Sequence, residues 1–147
     1  LSDGAMRAIL RDKDESLSPT EIDALIRAGE GSPGKALRYL GLNLADIESA
    51  MARIAQDGDR DNRQRLALAK ALAIKSAKPR YEAFLERAPA FIAQAARHRS
   101  GSALGVALDH WEKARLLAGG AVILSLDPAA VVFELAGHVA ALAPPSA

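Results

Sequence analysis

Two helix starts of the same construction lie close together near the beginning of the chain, and they limit what it can become. In Leu17-Ser18-Pro19-Thr20-Glu21-Ile22, and again in Gly31-Ser32-Pro33-Gly34-Lys35, a serine directly precedes a proline. A serine hydroxyl at the cap takes up a backbone N–H that the first turn cannot pair, and a proline just inside has no N–H to leave unpaired. Glu21 completes the capping-box pattern of Ser18, and Leu17 with Ile22 stands where a hydrophobic staple closes. Ile22, Leu25 and Ile26 then recur at helical spacing, with Gly29 as the stop. After the second start Ala36, Leu37 and Leu40 share a face, and upstream Met6, Ile9 and Leu10 form a further short amphipathic segment. Three short helices are expected over residues 2–41.

Gly41-Leu42-Asn43 reads as a boundary between two small domains, 1–43 and 44–147, and beyond it the expected helices lengthen. They cover about 44–56, 61–76, 78–99, 101–124 and 127–142. Asp57-Gly58-Asp59-Arg60-Asp61-Asn62 separates the first two, Pro79 opens the third and Pro89 should kink it. Ser100-Gly101-Ser102 breaks before the fourth, Asp127-Pro128 caps and opens the last, and Pro144-Pro145 ends it. Gly119-Gly120-Ala121-Val122-Ile123-Leu124 has strand propensity, but with no second strand to pair with it is assigned to helix. No repeat is evident. The fold class is all-α.

Composition agrees with helix packed on helix. Half the residues are apolar, mostly Ala and Leu, while aromatics make up 4%, so small and straight-chain side chains must fill the core. The absence of cysteine excludes disulfides and thiolate metal sites. With 19 basic and 18 acidic residues interspersed, the net charge of +1 offers no basic field for nucleic acid. No apolar run, Ala121-Val122-Ile123-Leu124 included, approaches the ~20 residues that span a bilayer, and Leu1-Ser2-Asp3-Gly4 is no secretory leader. The chain reads as a segment of a longer, cytoplasmic protein.

Three motifs fail on their context. Gly29-Glu30-Gly31-Ser32-Pro33-Gly34 matches the dinucleotide fingerprint G-x-G-x-x-G, but a capped helix precedes it where a strand is needed, and Pro33 removes a donor. Asp57, Asp59 and Asp61 imitate the first ligands of a calcium loop, yet Asn62 and Leu68 stand where glycine and a bidentate Glu are required. A solvated, helix-capping turn is expected there. His98, His110 and His138 are too scattered to suggest a metal site, and no Ser/His/Asp set or carboxylate pair stands out, so no catalytic residue, metal or cofactor is expected. Trp111 shares helical spacing with Leu104, Leu108, Arg115 and Leu116, and reads as core or core edge, with an interface anchor as the alternative. A helix-turn-helix DNA binder is a further alternative, its second helix carrying Lys35, Arg38 and Tyr39, although two cations are thin support for base reading.

The stretch from Leu17-Ser18 to Leu40, centred on Gly31-Ser32-Pro33-Gly34-Lys35-Ala36-Leu37, resembles the lid of clamp-loader AAA+ proteins. Its G-S-P-G-x-A-L form is similar to the delta-prime subunits of bacterial DNA polymerase III. Trp111-Glu112-Lys113-Ala114-Arg115, Leu124-Ser125-Leu126-Asp127-Pro128 and Val131-Val132-Phe133-Glu134-Leu135 are similar to the ends of such chains. The resemblance covers nearly the whole chain. It implies a three-helix lid followed by a helical collar, with an N-terminal nucleotide-binding domain preceding them, in a pentameric ring that places the sliding clamp on primed DNA.

The resemblance also implies partners and roles. The collar would meet the gamma/tau and delta subunits, with Phe91, Trp111, Arg115 and Phe133 as interface candidates, and DNA would be met only through the whole complex. No membrane and no small-molecule substrate are implied. ATP-hydrolysing relatives carry a sensor-2 arginine at the start of the lid helix, where an Arg stabilises charge on the transferred phosphoryl group. The matching residue is Gly34, and Lys35 points about 100° away around the helix. The implied subunit is a stator and not an ATPase; the collar of an ATP-hydrolysing relative would carry the arginine.

Overall fold

Each of the serine starts forms as its chemistry requires. In the computed structural model, which describes residues 1–145, Ser18 Oγ accepts the Glu21 N–H at 3.0 Å and Ser32 Oγ accepts the Lys35 N–H at 3.2 Å. Ser2 does the same for Ala5. The helices that follow are α1 (Asp3–Lys13), α2 (Pro19–Gly29) and α3 (Pro33–Arg38). Then come α4 (Leu44–Asp57), α5 (Arg63–Ala73), a 3-10 turn (Lys75–Ala77), α6 (Lys78–Ala96), α7 (Gly101–Ala121) and α8 (Pro128–Ala140). No strand occurs among the described residues, and the fold is all-α.

The chain divides into two compact units, Leu1–Ser49 and Ala50 onward. The division falls inside α4, whose start coincides with the end of the Gly41-Leu42-Asn43 break.

In the first unit α1, α2 and α3 pack on one another. Met6, Leu10, Ile22, Leu25 and Ala36 are buried at 1% exposure or less. Two glycine and glutamate assignments change here. Gly29 lies within α2, and a Cβ on it would come 2.8 Å from Ala36 Cβ, so it permits α2 and α3 to cross closely. The helix is stopped one residue later, by Glu30 in the left-handed region and Gly31 at φ 83°. Glu21 does not close a capping box on Ser18. Its buried carboxylate accepts the N–H groups of Leu44 at 2.8 Å and Ala45 at 2.7 Å, and so caps α4. The capping box lost its glutamate because α4 had unpaired amides within reach.

In the second unit α6 packs on α7 and α8, α7 on α8, and α5 on α8. Phe84, Leu72, Ile92, Val132 and Leu135 form the centre of its core. α6 continues as helix through Pro89, where the missing N–H deprives the Leu85 carbonyl of its usual partner. α7 reaches the core differently from the rest. Its fully buried residues are Ala107, Ala114 and Ala121, which recur every seven positions along one side. The segment after Ala121 is a turn and not the helix expected to residue 124.

Candidate functional site

The Gly31–Lys35 motif forms an exposed corner. Gly34 has no atom closer than 4.0 Å to the position of an added Cβ, so space for a side chain exists and the residue simply supplies none. Lys35 Nζ turns back to Glu30 Oε2 at 3.0 Å. Of the first-turn backbone donors, Pro33 has none and that of Lys35 is already bonded to Ser32. A phosphate meeting this corner would find little of the amide array that anion sites at helix starts require.

The Asp57–Asn62 turn caps the start of α5 and is exposed at Asp57, Arg60, Asp61 and Asn62, as expected, but Asp59 at its centre is buried. Asp59 has a side chain at 0% exposure; its carboxylate accepts the N–H groups of Gln64 and Arg65 and the Arg65 Nε–H, each at 2.9 Å. Burial opposes ionisation of Asp59, but these hydrogen bonds and the Arg65 charge outweigh it and hold the carboxyl below its ordinary range. The same guanidinium donates to the Asp59 carbonyl and the Asn62 side chain, and lies 4.9 Å from the centre of the Phe133 ring. A Cβ on Gly137, one turn beyond Phe133, would lie 3.4 Å from Arg65, so that glycine leaves the guanidinium its seat. Asp57 and Asp61 bond the backbone N–H groups of Asp59 and Arg63. All three aspartates are engaged in ordering the start of α5.

The four interface candidates separate. Trp111 and Arg115 come together on α7, the guanidinium 5.6 Å from the indole centre and paired with Glu112 at 2.6 Å. Trp111 is half-buried, and Leu108 (48%) and Leu116 (61%) on the same helix are more exposed. Phe133 is half-buried beneath Arg65, which accounts for it within its own unit. Phe91 is half-buried on α6.

Other arrangements were not visible as motifs. Ile74, Val122, Ile123, Leu124 and Leu126 are all exposed, Ile123 at 84%. Four of them come from the turn after Gly119-Gly120, so the apolar run that read as strand or helix is an apolar turn facing solvent. The glycine pair ahead of the run was the available signal. His110 and His138, far apart in sequence, are brought together across α7 and α8 with their Nδ1 atoms 2.9 Å apart. Burial, then the neighbouring His110, holds His138 below its ordinary pKa. Among the described residues no set of three His, Asp or Glu side chains converges as a metal site would need. No helix among them is long and apolar enough to cross a membrane.

Compared with known proteins, the chain matches no family model, no curated relative and no solved structure.

Proposed function

We propose that this chain is the lid and collar of a clamp-loader subunit of the delta-prime type, a stator that holds a replication ring together without hydrolysing ATP. The observation that carries the reading is where apolar surface lies. Of ten exposed large apolar side chains among the described residues, nine fall between Leu66 and Leu126, in the second unit. Large apolar residues displayed by one unit, and hidden by the other, suit a unit whose task is to be covered by neighbours. Gly34 supports the stator role, because the lid-helix start offers no side chain to a phosphate and the adjacent Lys35 is paired with Glu30.

In this reading the collar faces of α7 and the turn after it pack against the gamma/tau and delta subunits, and the full complex brings the assembly to primed DNA. The chain takes no cofactor and no small substrate. Mixing it with purified gamma/tau and delta subunits should give a stable complex in native mass spectrometry, with no ATP turnover by the chain alone. Failure to join that complex, together with tight and steeply salt-dependent binding to duplex DNA, would replace this reading with a helix-turn-helix DNA binder.

A further inference from the structure

A two-fold contact sets one patch against its own copy, so that residue i of one protomer meets residue j of the other while j meets i. A face can serve in this way only if it complements itself, and the outer face of α7 does. At about 100° per residue, the positions three, four and seven away from Glu112 in either direction lie within about 60° of it around the helix. All of them are exposed, on the side opposite the alanines that hold α7 to the core.

The residue types on this face are mirrored about Glu112. Seven positions away on either side stands a glycine, Gly105 and Gly119. Four away stands a leucine, Leu108 at 48% exposure and Leu116 at 61%. Three away the charges are opposite, with Asp109 before and Arg115 after. Two such helices laid antiparallel across an axis at Glu112 set Leu108 on Leu116, Asp109 beside Arg115 and Gly105 beside Gly119, each pair formed twice. Laid parallel, they would set Asp109 on Asp109 and Arg115 on Arg115, so the charges select the antiparallel arrangement.

The glycines are a second observation. A Cβ on Gly105 or Gly119 would have no atom within 4 Å, so nothing among the described residues requires glycine at either position. Alanine would favour the helix by about 1 kcal/mol at each. Without side chains, both ends of the face let a second helix backbone come close. Within the chain Asp109 pairs with Lys113 at 2.9 Å and Arg115 with Glu112 at 2.6 Å. These side chains are about half exposed, so water and salt screen the pairs. A carboxylate accepts several hydrogen bonds and a guanidinium carries five N–H groups, so Asp109 and Arg115 keep capacity for a partner across the axis. The two Glu112 carboxylates that meet there are each held by their own Arg115.

We infer that the outer face of α7 binds a second copy of this chain, antiparallel about Glu112, with Leu108 packed on the partner's Leu116 and Asp109 paired with the partner's Arg115. The contact is one helix wide, at the low end of specific interfaces, and a Kd of about 0.1 mM is expected. The inference goes beyond the ring reading and does not rest on it: a loader subunit that covers α7 would take the place of the second copy.

Sedimentation equilibrium of the whole chain, with no other subunit present, tests the contact. The unaltered chain should dimerise. Asp109→Arg alone and Arg115→Asp alone should each weaken dimerisation at least about tenfold, because each sets like charges together at both ends of the contact. Mixed in equal amounts, the two variants should recover it, since each supplies the charge that the other lacks. Circular dichroism checks that both keep their helix content. A chain that remains a monomer at several times the expected Kd overturns the assignment. So does a dimer that both variants keep, or one that mixing them does not restore. Joining the gamma/tau and delta subunits is a separate measurement, so either reading can fail while the other stands.

Discussion

The first unit and the second use their large side chains in opposite ways. In the first, Met6, Leu10, Ile22 and Leu25 all turn inward, and Leu1 is its one strongly exposed large apolar residue among those described. In the second, α7 gives its alanines to the core while Leu108 and Leu116 remain outside. Length explains part of the contrast. A six-residue helix such as α3 is too short to be stable by itself and must be held by packing. The 21-residue α7 satisfies its own backbone over most of its length and can be held by a narrow stripe. Caps and apolar spacing therefore say where helices lie, and they say less about which apolar face is covered.

The largest test of this comparison is at the hub that orders α5. Replacing Arg65 with Met would leave the Asp59 carboxylate buried without its charge partner, and should cost about 3–5 kcal/mol in chemical denaturation. A loss below about 1 kcal/mol would show that the second unit depends on its apolar packing alone. Next in size, Gly29→Ala should destabilise the first unit by about 1–3 kcal/mol, because the new methyl meets Ala36. Adding Ala36→Gly should recover part of that loss, and purely additive effects would disprove the close crossing.

A smaller effect should follow pH. His138 is held below its ordinary pKa of 6.5, so the folded state favours the neutral ring. Its contribution is complete above the unfolded pKa and is lost as pH falls through the folded value. The Tm should thus decline between pH 7 and pH 5, and His110→Gln should flatten that decline by removing the second ring. Glu134 and Asp109 moderate the effect, and Lys113 adds to it. Smallest of all should be the response to Leu116→Ser, within about 0.5 kcal/mol for the chain alone. If assembly with the loader subunits weakens while stability does not change, the exposed face of α7 is an interface face. A large stability loss would return Leu116 to the core.

Much of the fold could be read from sequence because its signals act over three or four residues. Ser18-Pro19, Ser32-Pro33 and Asp127-Pro128 each mark a helix start that the structure contains. What escaped depends on residues distant along the chain. Gly29 looks like a stop until Ala36 is placed against it, and Glu21 looks like half of a capping box until Leu44 offers its amide. The histidine pair joins positions 28 apart, and the Asp59 hub reaches Phe133 through Arg65. The apolar turn at 122–126 escaped for another reason. Its composition belongs to a core, and only the fold shows that none of the described residues covers it.

The capping of α4 by Glu21 has a consequence for time as well as for shape. The amides of Leu44 and Ala45 are protected by a side chain 23 and 24 residues upstream and not by their own helix. Their hydrogens should exchange with solvent when α2 releases that carboxylate, whatever the state of the turns that follow. Two adjacent amides at the head of one helix thus act as a clock for the opening of another, and a hydrogen-exchange experiment can time that opening with no probe attached to the chain.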